Sequence, residues 1–264
     1  MLNSLVFGLT KRARFVLFVI LLSIGIFGST YFVGLNLLII SLVLSISGVV
    51  LLYLALRSDI RGTFYYPIII LPFLFIASFS LFYPLIPARV LTRIVLTALF
   101  AFGLYSLFLT QNIFAVSAVR TINLLRSARI VSFVLTIVTL FLLTNIIFSL
   151  RLPFFITPTV ITLLTFLLNF QSLWVYSLSK EFVRESLKLS LLIALVEGEL
   201  ALVLNLWPVD AAIYSIFITG IFYAYSGLAH AWTEKRLFKG VLWEYIWVAF
   251  LAIIILIFFS NWGL

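Results

Sequence analysis

Two glutamates interrupt a long apolar segment in the last third of the 264-residue chain. Glu197 and Glu199 are separated only by Gly198, and apolar residues flank them on both sides. A charged side chain facing lipid in mid-membrane costs at least about 2.5 kcal/mol, so such residues usually face protein or a water-filled cavity. Residues two positions apart on a helix are rotated by about 200° around its axis. The two carboxylates therefore point to opposite sides of the helix and cannot form one pair. The sequence therefore predicts protein on at least two sides of this helix.

Two interpretations of these carboxylates stay open. Either Glu197 and Glu199 bind a proton or a cation, or each is a protonated carboxyl group that hydrogen-bonds a neighbouring helix. Asn145 and Asn169 also lie inside apolar segments, and either amide could be the partner of Glu199 in the second interpretation.

A second group of polar residues lies towards the C-terminus. His230 and Glu234 are four residues apart, which places them on one helix face, and Glu244 lies near the start of the next apolar segment. We expect these three in a small polar cluster at the cytoplasmic side. One histidine and two carboxylates can bind zinc with an open coordination position. We favour the alternative of an interfacial histidine beside loop charges, and we expect no metal and no other cofactor.

Three arginines are candidates for binding an anion or a lipid phosphate. Arg89 and Arg93 share one helix face at the start of a span, and Arg151 lies in a later connection. Cations at a helix N-terminus oppose the helix macrodipole, and an anion between them would relieve that conflict. The alternative is that these side chains extend to ordinary phospholipid headgroups.

Intramembrane protease motifs do not match. Rhomboid-type serine proteases place a Gly-x-Ser-Gly serine and a histidine on different helices, whereas Ser226 and His230 share one helix and position 224 is alanine. CAAX-type proteases carry Glu-Glu-x-x-x-Arg, whereas a glycine separates the glutamates here and position 203 is valine. Walker and dinucleotide-binding glycine motifs are also absent.

Composition decides the class of protein. Hydrophobic residues make up 65% of the chain and charged residues 9%, against about 45–50% and about 25% in soluble domains. This excludes a soluble enzyme, a disordered protein and a nucleic-acid-binding domain, despite a net charge of +9. The absence of cysteine and the single histidine exclude disulfides, cysteine-ligated metals and multi-histidine sites.

The apolar segments predict an all-α integral membrane protein. A membrane span needs about 20 apolar residues, and the chain forms a single transmembrane domain, residues 1–264, with no soluble domain. We predict nine spans, at residues 15–32, 35–56, 64–85, 90–113, 130–150, 156–178, 189–207, 211–232 and 241–260.

Basic residues predict the orientation of these spans. With the N-terminus in the cytoplasm, fourteen of the 17 Lys and Arg residues fall on the cytoplasmic side. This bias is the positive-inside rule, and it predicts a cytoplasmic N-terminus and an outer C-terminus. All six tryptophans lie after residue 173, so the two halves of the chain are unlike in composition.

Short elements of the last third resemble a known group of sequences. They are Glu199-Leu200-Ala201, Leu206-Trp207-Pro208, Gly227, Glu244-Tyr245 and Asn261-Trp262-Gly263. These elements resemble uncharacterised multi-span membrane proteins of candidate-phyla bacteria. The resemblance implies a location in the prokaryotic cytoplasmic membrane and carries no activity.

Three functions follow as hypotheses. The first is a non-enzymatic small transporter or lipid- and envelope-handling factor with Glu197 and Glu199 as its polar centre. The second is an intramembrane enzyme for a lipid-linked substrate, with His230 in an acid–base role and Arg89 and Arg93 holding phosphate. The third is a scaffold subunit of a larger membrane complex. We expect membrane lipids, and in the third hypothesis other membrane subunits, as partners, and no nucleic acid.

Overall fold

Nine apolar segments form α-helices in the computed structural model of this chain, which describes residues 10–32, 34–57, 66–86, 89–117, 124–177 and 183–260. These ranges contain no strand, so the predicted all-α fold class is confirmed for them. In chain order the helices are α1 (Lys11–Ser29), α2 (Leu35–Leu56), α3 (Tyr66–Phe82), α4 (Val90–Ser117), α5 (Leu125–Ser149), α6 (Ile156–Ser177), α7 (Val183–Leu204), α8 (Ala211–Thr233) and α9 (Lys239–Phe258).

The helices α1 and α5 begin before their predicted spans. α1 begins directly after Thr10, whose hydroxyl accepts a hydrogen bond from the Ala13 N–H at 3.4 Å and so caps the helix. α5 begins at Leu125, so Arg126 and Arg129 are helical. The helix therefore begins five residues before the predicted span at 130–150, because leucine, arginine and alanine are strong helix formers and long arginine side chains can extend to water.

The charged stretch before the seventh predicted span is helical. α7 begins at Val183 and includes Arg184, Glu185 and Lys188. The helix therefore begins six residues before the predicted span at 189–207, while residues 178–182 lie outside the described ranges.

Eight of the nine described helices are long and apolar enough to cross a membrane. α7 is the exception, because it carries Glu197 and Glu199 in addition to the charged residues near its start. Its 22 residues are nevertheless about 33 Å long, at about 1.5 Å per residue, which matches the thickness of the hydrocarbon core.

The chain divides into two compact units, residues 1–135 and 136–264, and the boundary falls within α5. In the first unit, α2 packs against α1 and α3, and α1 packs against α4. Aromatic rings fill the interior: Phe75 stacks on Phe100 with ring centroids 5.8 Å apart, and Phe15 contacts Phe108 at 6.0 Å. Gly103 lets α4 approach α3, because a Cβ there would collide with the Phe75 ring.

In the second unit α8 is the central helix. It packs against α6, α7 and α9, and α7 also packs along α6. Small residues allow these close approaches, as is common in membrane bundles: a Cβ at Gly198 would collide with the Thr162 hydroxyl, and one at Gly227 with the Tyr245 ring. The candidate sites below lie mainly in the interfaces that α8 forms.

Candidate functional site

Glu197 lies in the interior of the second unit. Its side chain is fully buried, and neither carboxylate oxygen has a hydrogen-bond partner among the described residues. One turn further along α7, the Ala201 carbonyl accepts a hydrogen bond from the Tyr214 hydroxyl of α8 at 3.3 Å. The Glu197 carboxylate lies within electrostatic reach of the same hydroxyl. The buried carboxylate therefore belongs to the α7–α8 interface.

Glu199 has a different environment. Its side chain is exposed, while Glu197 is buried, so the two carboxylates do point to opposite sides of α7. α6 and α8 both pack against α7, but they leave the Glu199 face uncovered. The described helices thus cover the Glu197 side of α7 and leave the Glu199 side exposed. Asn169 accepts a hydrogen bond from Ser226, so it is engaged with α8 and not with Glu199.

A cavity of about 590 Å³ lies where the α5–α6 and α7–α8 connections meet. Its lining includes Arg151, Asn205 and Asp210. Arg151 adopts a left-handed backbone conformation with a φ of 46°, and the Asn205 amide donates a hydrogen bond to the Phe154 carbonyl at 2.9 Å. The predicted anion candidate Arg151 and the acidic residue Asp210 thus line the same cavity.

Tyr214 connects the wall of this cavity with the surroundings of Glu197. Its ring stacks on Phe148, which lines the cavity, with centroids 4.1 Å apart. Sequence reasoning missed Asn205, Asp210 and Tyr214 as site residues, because two separate connections bring them together and no local motif marks them.

The predicted polar cluster of His230, Glu234 and Glu244 is divided. Glu234 pairs with Arg236 at 3.3 Å, and Glu244 is exposed on α9. Both carboxylates lie within electrostatic reach of the Tyr245 hydroxyl. In the described ranges no three His, Cys, Asp or Glu side chains are placed to hold a metal ion.

His230 itself is buried and contacts α6. Its Nε2 lies 2.9 Å from the Ser172 hydroxyl, and its ring stacks on Tyr176 with centroids 4.0 Å apart and an interplanar angle of 14°. Ser226, the serine compared with the rhomboid motif, lies on the same helix as His230. Ser172, the serine that contacts His230, lies on another helix, as in rhomboid-type proteases. The residue after it is Leu173, however, and not the glycine of the Gly-x-Ser-Gly motif.

A second hydrogen bond lies one turn away in the same interface. The Ser226 hydroxyl donates to the Asn169 Oδ1 at 2.5 Å, and the Asn169 Nδ2 has no acceptor in the part of the chain that the structure describes. Asn169, Ser172 and Tyr176 are spaced by three and four residues on α6, which places them on one face. This spacing is visible in the sequence and could have predicted that these three polar residues share one helix face.

The first unit positions the other two arginines. Arg89 is exposed, and the Arg93 guanidinium lies over the Tyr31 ring, 4.8 Å from its centroid. The Tyr83 hydroxyl donates to the Arg93 carbonyl at 3.1 Å, and a cavity of about 100 Å³ adjoins these residues. Arg93 is thus held by an aromatic ring, and binding of an anion by Arg89 and Arg93 stays a prediction.

A family model matches most of this chain. The model of a family described as "Protein of unknown function (DUF5656)" matches residues 19–259. No curated protein and no solved structure matches the chain.

Proposed function

This chain belongs to the DUF5656 family, and we propose that it is a small transporter of the prokaryotic cytoplasmic membrane in which Glu197 binds a proton or a cation. The observation that carries the proposal is the complete burial of Glu197 with no hydrogen-bond partner for either oxygen among the described residues. Ionisable residues inside membrane bundles commonly mark ion pathways and proton relays.

The surroundings of Glu197 support a mobile counter-charge rather than a fixed one. A buried carboxylate must be neutralised, by a proton, a metal ion or a basic side chain. α6 and α8, the helices that pack against α7, contain no lysine and no arginine. On α7 itself the nearest basic residue is Lys188, nine positions and about 13 Å away. A proton or a small cation is therefore the neutralising species that we propose.

The cavity beside Arg151 and Asp210 offers a route to this carboxylate. It adjoins the α7 end at Asn205, eight positions and about 12 Å along the helix from Glu197. Tyr214 lies between them, since it stacks on the cavity-lining Phe148 and bonds to α7. We place the path of the transported ion from the cavity, past Tyr214, to Glu197.

The proposal includes nine spans with a cytoplasmic N-terminus, which places the cavity outside. The chain has no cysteine, so single cysteines report its orientation without background. Asp210→Cys should react with a membrane-impermeant maleimide in intact cells, and Arg236→Cys only after permeabilisation. The reverse result would overturn the orientation.

Ion flux tests the role of Glu197, and Glu199 provides the matched control two residues away. Purified protein in proteoliposomes is subjected to a pH gradient or a sodium gradient, and internal pH or sodium uptake is recorded. We expect Glu197→Gln to lose at least tenfold in flux, and Glu199→Gln to retain at least half. Equal flux in wild type and Glu197→Gln, or the absence of both fluxes in wild type, would overturn the proposal.

A further inference from the structure

The α6–α8 interface holds a second polar site, at the opposite end of α8 from Tyr214. His230 lies sixteen positions along α8 from Tyr214, which is about 24 Å at the helical rise. We propose that Ser172 and His230 form a nucleophilic site that hydrolyses a carboxylic ester of an acyl lipid. This activity goes beyond the proposed ion transport and does not depend on it.

The contact between Ser172 and His230 has the geometry of a nucleophile and its base. The Ser172 Oγ lies 2.9 Å from the His230 Nε2, within the range of about 2.6–3.2 Å that such pairs show. The residues come from different helices, and each is almost completely buried. When Nδ1 carries the imidazole proton, Nε2 accepts the hydrogen bond and can take the serine proton.

Tyr176 orients the base. It lies one turn after Ser172, and its ring is parallel to the imidazole within 14°, at a centroid distance of 4.0 Å. This stacking fixes the plane of the His230 ring and so keeps Nε2 directed at Ser172. A third group that orients the base is a recurring part of nucleophilic sites.

Asn169 supplies a donor for the developing oxyanion. Its Oδ1 accepts the Ser226 hydroxyl at 2.5 Å, which fixes the orientation of the amide. Its Nδ2 is fully buried and has no acceptor in the described ranges. Buried donors without an acceptor are rare, and this one lies one turn before Ser172 on the same face. A fixed, unpaired donor beside a nucleophile is what an oxyanion requires.

The reaction that follows is ester hydrolysis. The Ser172 Oγ attacks the carbonyl carbon, its proton moves to the His230 Nε2, and the Asn169 Nδ2 donates to the carbonyl oxygen. The bond to the leaving alcohol breaks, and the alcohol oxygen takes the proton from His230. Water then attacks the acyl-Ser172 ester, which releases the carboxylic acid and restores the hydroxyl.

The location of the site selects a lipid ester. Ser172 is 5% exposed and His230 is 4% exposed, and Leu173, Trp174 and Val175 beside them are buried. The site thus lies within helices that are apolar enough to cross a membrane. We therefore assign to this site a substrate whose acyl chain partitions into the bilayer, and not a water-soluble ester.

Covalent labelling tests the nucleophile. Purified full-length protein in detergent micelles is treated with an alkyl fluorophosphonate, which forms an oxygen–phosphorus bond with an activated serine and releases fluoride. We expect mass spectrometry to find the label on Ser172. Ser172→Ala should lose it, and Asn169→Ala should slow labelling about tenfold to a hundredfold. Ser215→Ala is the matched control, because that hydroxyl donates to the Ala211 carbonyl of its own helix.

A substitution of His230 separates catalysis from helix packing, since serine and histidine can also simply hydrogen-bond adjacent helices. His230→Gln retains a hydrogen-bonding side chain but no base. We expect it to elute as a single species like wild type and to label at least tenfold more slowly. Unchanged labelling in this variant, or a wild type that elutes as a single species and does not label Ser172, would overturn the proposal.

Product analysis tests the substrate class, with phospholipid vesicles containing phosphatidylglycerol as the probe. Release of free fatty acid by wild type and not by Ser172→Ala is the expected result. Cleavage of a membrane-spanning peptide in place of the ester would overturn the lipid assignment. Ion flux and ester hydrolysis are measured separately on the wild-type protein, so either proposal can fail while the other stands.

Discussion

The interiors of the two units differ in the kind of contact that they contain. In the first unit, phenylalanine rings meet ring to ring between α1, α3 and α4. Ser78 donates to the Phe75 carbonyl of its own helix. The buried hydroxyls of Ser23, Ser45 and Ser80 and the buried amide of Gln111 have no hydrogen-bond partner among the described residues. In the second unit, Glu197 and His230 are buried. The aromatic interior of the first unit indicates that a helical unit can be built mainly from apolar rings. We therefore propose that Glu197 and His230 are buried for their chemical roles and not for packing.

The largest expected effect concerns the aromatic interior of the first unit. Phe100→Ala should cost about 3 kcal/mol of unfolding free energy, because it removes a fully buried ring and leaves a cavity. Thermal loss of helical circular dichroism in detergent measures the effect. All six tryptophans lie after residue 173, so their fluorescence should change much less. Phe102→Ala is the control, since that ring is 74% exposed. Equal losses in both variants would contradict the difference in packing.

A glycine tests the packing that holds Glu197 in the second unit. Gly198→Leu should cost about 2 kcal/mol by overpacking the α6–α7 interface, where even a Cβ collides with the Thr162 hydroxyl. The midpoint of thermal unfolding by tryptophan fluorescence is the measurement. Gly28→Leu is the matched control, because nothing lies within 4 Å of a Cβ there. If both variants unfold at the wild-type temperature, α6 and α7 do not approach at Gly198.

A smaller effect concerns the arginine at the edge of the first unit. Tyr31→Leu should cost about 1 kcal/mol, because it removes the ring beneath the Arg93 guanidinium. In an Arg93→Leu background the same change should cost nothing, and a double-mutant cycle in chemical denaturation measures the coupling. Tyr53→Leu, at an exposed ring, serves as the control. A coupling energy of zero would show that Arg93 is available for an anion without losing this contact.

The smallest effect concerns the second hydrogen bond of the α6–α8 interface. Ser226→Ala and Asn169→Ala should couple by about 0.6 kcal/mol, the average for hydrogen bonds between membrane helices. A double-mutant cycle, with unfolding followed by tryptophan fluorescence, measures this coupling energy. If the coupling energy is this small and Asn169→Ala still loses most of the labelling, the Asn169 amide has a chemical role and not only a structural one. A coupling above about 2 kcal/mol would make Asn169 chiefly a packing residue.

Much of the fold could be predicted from apolar segments, since each predicted span has its helix. The predicted start of the fifth span was less accurate, because Arg126 and Arg129 are charged and yet belong to α5. Charge favours a loop there, whereas helix propensity favours a helix. For the candidate sites, helical rotation correctly separated Glu197 from Glu199. It could not say which of them is buried, because that depends on which face of α7 meets α6 and α8.

The sequence by itself determined the helical, apolar class of this protein, because an apolar segment of about 20 residues, long enough to cross a membrane, is a local property of composition. It also determined the rotation between neighbouring carboxylates, which the helix repeat fixes. Only the tertiary structure decided the partners of the polar residues. Ser172 and His230 are 58 residues apart and meet at 2.9 Å, since glycines and other small residues let particular helix faces approach. Contacts between distant segments depend on that packing, and no local pattern encodes it.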